Sequence, residues 1–210
     1  GIIDEVRISA TDRSAQWIAT EYNSTNAPNL FVSNGTKEPP CGGGRSITIN
    51  PCEWSWRKKL TVNKTMVSGT QFDFPVLVNL SSDSDLAAGA QPDGDDLVFT
   101  RSDGTTKLSH EIESYNSVTG ALLAWVKVPG ISESANTDIY LYFNNSAATS
   151  QQNVPDVWSN MYAGVWHLNN AFSDSSSHAN NGVNTGTTDA AGWIGRGREF
   201  SGSGQYITTP

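Results

Sequence analysis

Apolar and polar side chains alternate with a period of two along much of the chain, the pattern of strands with one covered face. The opening GIIDEVRIS sets Ile2, Val6 and Ile8 on one parity and Ile3, Glu5 and Arg7 on the other, which predicts a half-buried strand. After Thr11 and Asp12, a cap-like pair, RSAQWIATEY places Trp17, Ile18, Glu21 and Tyr22 at helical spacing. A short helix is expected there, ending in the turn cluster NSTNAPN. Residues 32–51 are rich in Gly, Pro, Asn and Ser and read as a loop or linker.

From Glu53 the alternation returns. Trp54, Trp56, Leu60 and Val62 share one parity, and Phe72, Phe74, Val76, Val78 and Leu80 do the same in the next segment, each set reading as a strand packed on one face. PDGDD leads into LVFTR, TKLSHEIES, ALLAWVKVP and TDIYLYFNN, separated by Gly and Asp turns. Strands spaced about ten residues apart predict a sandwich, and the stretch from Trp54 to Asn145 is long enough to close a modest core. Beyond the polar joint SAATSQQNVPDVW come GVWHLNN, the loop FSDSSSHANNG and GWIGRGREFSGSGQYITTP. A sandwich half of about 50 residues cannot bury both faces of its sheet.

Composition narrows the function classes. Of 210 residues 37% are hydrophobic and only 16% charged, with a formal net charge of −8. That balance offers no positive field for phosphates, so nucleic acid is not an expected partner. No apolar run is long enough to span a bilayer, and no charged-then-apolar leader opens the sequence, so the chain reads as soluble and without its own export signal. Cys41 and Cys52 flank GGGRSITINP; a closed zinc site lacks further ligands, which leaves a local disulfide, the favoured reading, or two thiols. Sequons at Asn23, Asn34, Asn63, Asn79 and Asn144 fit an exported protein but arise easily by chance in so polar a chain.

WRKKLTV, DFPVLVNL, DGDDLVFTRSDGTTKLSHEIESY, AWVKVP and IYLYFNN, in this order within residues 54–145, resemble the bacterial domain of unknown function numbered twenty-three forty-one. The resemblance implies a β-sandwich found in large exported proteins, without established chemistry. GVWHLNNAFSDSSSHANNGVNTG and GREFSGSGQYI resemble the beginning of a laminin-G-like, concanavalin A-like jelly roll, and GIIDEVRISATDRSAQWIATEYN resembles its end. The two pieces stand in reversed order without the middle strands, as in a window cut from alternating domains or in a rearranged chain. In such jelly rolls the last and first strands are neighbours, so residues 1–22 and 163–210 are expected to complete a sheet together, within one chain or between copies.

The expected architecture is therefore all-β: an antiparallel, jelly-roll-like sandwich with a second, partial concanavalin A-like sandwich. Residues 1–31 and 148–210 are expected to be the partial pieces, 32–52 a linker with a disulfide loop, and 53–147 the complete domain. Hydrolytic chemistry needs a nucleophile with a base, or two facing carboxylates. His110 lies between Leu108 and Ile112 and reads as a satisfied core histidine; His167 falls in a strand and His178 in a polar loop, neither within a motif. Glu111 and Glu113 read as a solvated strand face, and no enzyme is expected.

Calcium is the more plausible small ligand, because oxygen donors are dense at Asp93, Asp95 and Asp96 and at Asp174 and Asn180. Ordinary Asp/Gly turns are the competing reading. Of seven tryptophans, Trp54, Trp56, Trp125 and Trp166 read as core, whereas Trp158 and Trp193 are flanked by loop residues and are the candidates for stacking on a sugar. The leading expectation is an extracellular or cell-surface structural or adhesive module, partnered through sheet edges by neighbouring copies or flanking domains. A carbohydrate-binding module of a secreted polysaccharide-degrading protein is the alternative.

Overall fold

Ser14 is extended, and its Oγ accepts the Trp17 N–H at 3.1 Å. The expected helix therefore starts at Ser14 and not at the Thr11–Asp12 pair, because Ser14 supplies the N-terminal cap. The computed structural model describes residues 1–40, 50–169 and 171–210. It begins with β1 (Ile2–Ile3), β2 (Val6–Ser9), α1 (Ala15–Asn26), α2 (Pro28–Phe31) and β3 (Val32–Glu38). There follow β4 (Trp56–Val62), β5 (Gln71–Leu80), α3 (Ser84–Gly89), β6 (Val98–Arg101), β7 (Lys107–Leu108), β8 (His110–Asn116), β9 (Ala121–Ile131) and β10 (Thr137–Phe143). The last elements are α4 (Val154–Val157), β11 (Tyr162–Trp166), β12 (Val183–Thr185), β13 (Thr188–Ala191), β14 (Arg196–Glu199) and β15 (Tyr206–Thr208). Two compact units result, Ser14–Asn153 and the combination of Gly1–Arg13 with Val154–Pro210.

The Ser14–Asn153 unit is an antiparallel sandwich. One sheet has the order β3-β4-β10-β6-β7 and the other β5-β9-β8. Leu60, Val62, Phe99, Ile139, Leu141 and Phe143 of the first sheet are fully buried, as are Phe74, Val76, Val78, Trp125 and Val126 of the second. Each such side chain contributes roughly 2 kcal/mol of burial. β5 departs from the one-face expectation: Leu77, on the opposite parity, is also fully buried, and Phe72 is 67% exposed. The reason is α1, whose Trp17 meets Phe74 at 4.8 Å and whose Ser24 Oγ accepts the Leu77 N–H at 3.4 Å. A helix thus covers the outer edge of β5, where an open strand would invite pairing with another chain.

Residues 32–38, read as linker from their composition, form β3, paired antiparallel with β4 from Val32 opposite Val62 to Glu38 opposite Arg57. An edge strand needs only one neighbour and tolerates polar residues on its open side, so its composition imitates a loop.

The second unit is built from both ends of the chain. β2 pairs with β11, Val6 standing opposite Trp166, and β1 pairs with β14, Ile2 standing opposite Glu199. The amino terminus donates to the Phe200 carbonyl at 2.6 Å, and the Phe200 N–H returns a bond to Gly1 at 2.7 Å. The expected pairing of the two ends is present within one chain. The single opening strand is instead two, because Glu5 takes φ 53 and breaks the extended run between β1 and β2.

Candidate functional site

β2 carries the sequence pattern of a covered strand, yet its apolar parity is the open one. Val6 and Ile8 share the face of Trp166, because Val6 is opposite Trp166 and Ile8 opposite Gly164. Ile8 is nevertheless 52% exposed, and Ile3 and Tyr206 are 47% and 51% exposed. Together with Trp166, Phe200 and Ile207 they line an open apolar groove of about 400 Å³. The groove depends on a flat seat for Trp166: its ring lies where a Cβ on Gly164 would stand, and its Nε1 donates to the Asn180 carbonyl at 3.0 Å. A register shift between Tyr162 and Gly164 sets this arrangement.

The charged parity of β2 faces inward. Glu5 accepts from Arg7 at 2.7 Å on one carboxylate oxygen and meets His167 Nδ1 at 2.7 Å with the other. Trp158, 1% exposed, lies against the cluster, its ring 5.6 Å from that of His167 and 5.2 Å beneath the Arg7 guanidinium. Burial pushes the Glu5 carboxyl upward, but His167 and Arg7 outweigh it and hold the group below its ordinary range. A carboxylate and an imidazole in this contact are able to exchange a proton. With side chains only 9% and 6% exposed, the pair acts as a brace that fixes β2 against the residue following β11.

The calcium candidates are differently employed. Asp174 Oδ1 accepts the Val165 and Ser176 N–H groups at 2.8 and 2.9 Å, and Oδ2 accepts Ser176 Oγ and the Asn180 N–H at 2.9 and 3.0 Å. Four donors on two oxygens make Asp174 a clamp that closes the 174–181 loop, and they hold its carboxyl low against the opposing effect of burial. Asn180 contributes its backbone N–H and carbonyl to this arrangement. Asp96 is fully buried and accepts the backbone N–H groups of Gln91, Asn144 and Asn145, while Asp93 caps Asp95 N–H at 3.1 Å on the surface. These are turn functions, and Asp93, Asp95 and Asp96 do not converge on one point.

Trp158 corrects an expectation: flanked by loop residues in sequence, it is buried against Tyr162 at 5.3 Å as the continuation of α4. Trp193 is 73% exposed in the β13–β14 turn, as expected. Trp54, Trp125 and Trp166 are core residues, and Trp54 Nε1 donates to the Asp96 carbonyl at 2.6 Å. His110 is buried as expected but only half satisfied: Nδ1 is 3.4 Å from the Leu108 carbonyl, and Nε2 has no hydrogen-bond partner among the described residues.

Among the sequons, Asn23 Nδ2 donates to the Met66 carbonyl and Asn34 Nδ2 to Asp83, both at 2.9 Å. Asn63 Oδ1 accepts both Thr65 N–H and Oγ, Asn79 is half-buried on β5, and Asn144 has φ 68. Cys41 lies outside the described residues; Cys52 sits in a 3-10 turn, its N–H on Asn50 Oδ1 at 3.2 Å.

Residues 93–192 match the family model described as domain of unknown function (DUF2341). The match begins at the Asp93 turn, takes in β6 to β10 and extends through β13, so WRKKLTV and DFPVLVNL fall before it. No curated protein and no solved structure matches the chain.

Proposed function

We propose that this protein is a non-enzymatic structural or adhesive module of an extracellular or cell-surface assembly, joined to neighbouring copies or flanking domains through the unit that its two ends build. The observation that supports this is the inverted β2. Its salt-linked parity is buried and its apolar parity, with Ile8 52% exposed beside a groove of about 400 Å³, is open to an added apolar strand. Sedimentation velocity over a concentration series tests it. Wild type is expected to self-associate as concentration rises, and Ile8→Lys to remain monomeric with an unchanged circular dichroism spectrum. A wild type that stays monomeric throughout, and gains no affinity for tandem copies, refutes the reading. An extracellular setting goes with a closed Cys41–Cys52 link, which thiol alkylation before and after reduction reads directly.

A second reading, carbohydrate binding, is favoured by Trp193, whose ring stands 73% exposed in a turn held by the Ile194 N–H on Asp4 Oδ2 at 2.9 Å. An exposed aromatic on a fixed turn suits stacking on a pyranose ring. Retention on an insoluble polysaccharide that is lost in Trp193→Ala would support it, and equal behaviour of the two proteins would remove it.

A further inference from the structure

Within the Ser14–Asn153 unit, three side chains of complementary reactivity meet at one oxygen atom. Lys58 lies on β4 in the inward register of Leu60 and Val62, and its side chain is 6% exposed. Its Nζ is 2.5 Å from Asp83 Oδ2 and 2.9 Å from Asp85 Oδ2. The same Asp83 Oδ2 accepts Asn34 Nδ2 at 2.9 Å. Asp83 is itself buried, and its other oxygen is fixed by the Asp85 and Leu86 N–H groups at the start of α3. The carboxylate is thereby held between an amine and a carboxamide.

Strand register accounts for the meeting. Asn34 is opposite Leu60 and Lys37 opposite Lys58, with a register shift between them. Asn34 therefore shares the face of Leu60 and, two residues along β4, of Lys58. At the shift the strands run close, for a Cβ on Gly35 would stand 3.0 Å from the Lys59 carbonyl oxygen. Asn34 belongs to the exposed edge strand, which gives a small leaving group a way to solvent.

We infer that this is a self-modification site, at which an amide bond forms between Lys58 Nζ and Asn34 Cγ. Asp83 takes a proton from the Lys58 ammonium. The amine lone pair attacks Cγ, the new C–N bond forms, and the carbonyl electron pair moves to Oδ1. The pair returns as the Cγ–Nδ2 bond breaks, and Asp83 passes the proton to Nδ2. The two protons shed by the lysine nitrogen leave with the departing nitrogen as ammonium, so charge and atoms balance without oxidant or co-reactant. Fixed proximity replaces an activating reagent, and escape of the ammonium from the exposed strand opposes the reverse reaction. The buried Lys58 charge would leave with the ammonium, and the Asp83 carboxylate would keep the Asp85 and Leu86 N–H groups on its other oxygen. The edge strand β3 would be tied to β4, a mechanical function that does not depend on the docking groove.

Intact-mass measurement of the folded wild-type protein, made in a host that does not glycosylate and then denatured and reduced, tests the bond. The expected mass is one ammonia below that of the sequence, with a peptide map in which the peptides containing residues 34 and 58 are joined. Asn34→Ala and Lys58→Arg are expected at their full sequence masses. A folded wild type at full mass overturns the inference, as does a deficit that persists in Asn34→Ala. Loss of one water in place of ammonia would put the bond at Asp83 and equally overturn the assignment to Asn34.

Discussion

Protonating His110 would place a cation in the sandwich core, 5.1 Å from the Phe99 ring and with only the Leu108 carbonyl in reach of Nδ1. Burial, reinforced by the nearby Lys107 charge, pushes its pKa from the ordinary 6.5 down to about 4, the backbone of Leu108 and Leu97 opposing. The unfolded chain then binds the proton more tightly than the folded one. The resulting stability is complete above pH 6.5 and is lost as the pH falls toward 4, a difference of about 3 kcal/mol. Urea unfolding followed by Trp fluorescence at a series of pH values is expected to show this loss, and His110→Leu to flatten it over the same interval. Glu5, whose carboxyl is held low, works in the same direction in the other unit: its contribution is present above its ordinary pKa and fades as the pH falls further. Asp174 offers a contrasting test. Because its two oxygens already hold four protein donors, chelation by EDTA is expected to leave the melting temperature unchanged, whereas Asp174→Asn is expected to cost about 3 kcal/mol. A drop in melting temperature on chelation would support the calcium reading.

At the scale of elements, β11 is the most exacting. The Trp166 ring occupies the space beside Gly164 where any other residue puts a Cβ, so Gly164→Ala is expected to displace the indole and destabilise its unit by about 2 kcal/mol, read as red-shifted Trp emission at a lower urea midpoint. β4 was legible in the sequence because its alternation reports real two-sidedness, Leu60 and Val62 being buried and Lys59 exposed, whereas β6, β9 and β10 bury side chains on both parities. β3 was not legible, since VSNGTKE holds one buried apolar residue and its order comes from backbone pairing with β4. Trp158 was misread because two-residue neighbourhoods say little about a side chain that turns inward after a four-residue helix. The Lys58 cluster did leave a signal. A lysine stands in the inward register between Trp56 and Leu60, where an apolar residue is the rule, and such an exception marks a buried partner. Asp83 and Asn34, far from Lys58 in sequence, become its neighbours only through the β3–β4 register and the cap of α3.

The whole molecule is arranged so that one unit is continuous in sequence and the other is discontinuous. Ser14–Asn153 contains every strand of its own sandwich, while the remaining unit exists only where Gly1–Arg13 meets Val154–Pro210. Removing residues 1–13 takes away β1, the partner of β14, and β2, the partner of β11, together with Glu5 and Arg7 of the buried brace. What remains of the second unit would be short strand pairs without a shared core, below the size at which sheets are stable alone. Hydrogen exchange followed by mass spectrometry on the deletion protein is accordingly expected to show loss of protection across residues 162–166 and 196–199. β5 and β9, paired from Gln71 opposite Ile131 to Leu80 opposite Leu122, should keep theirs. Protection retained at 162–166 after the deletion would mean that β11 does not depend on β2. The apolar face of β2 would then be dispensable to its own unit.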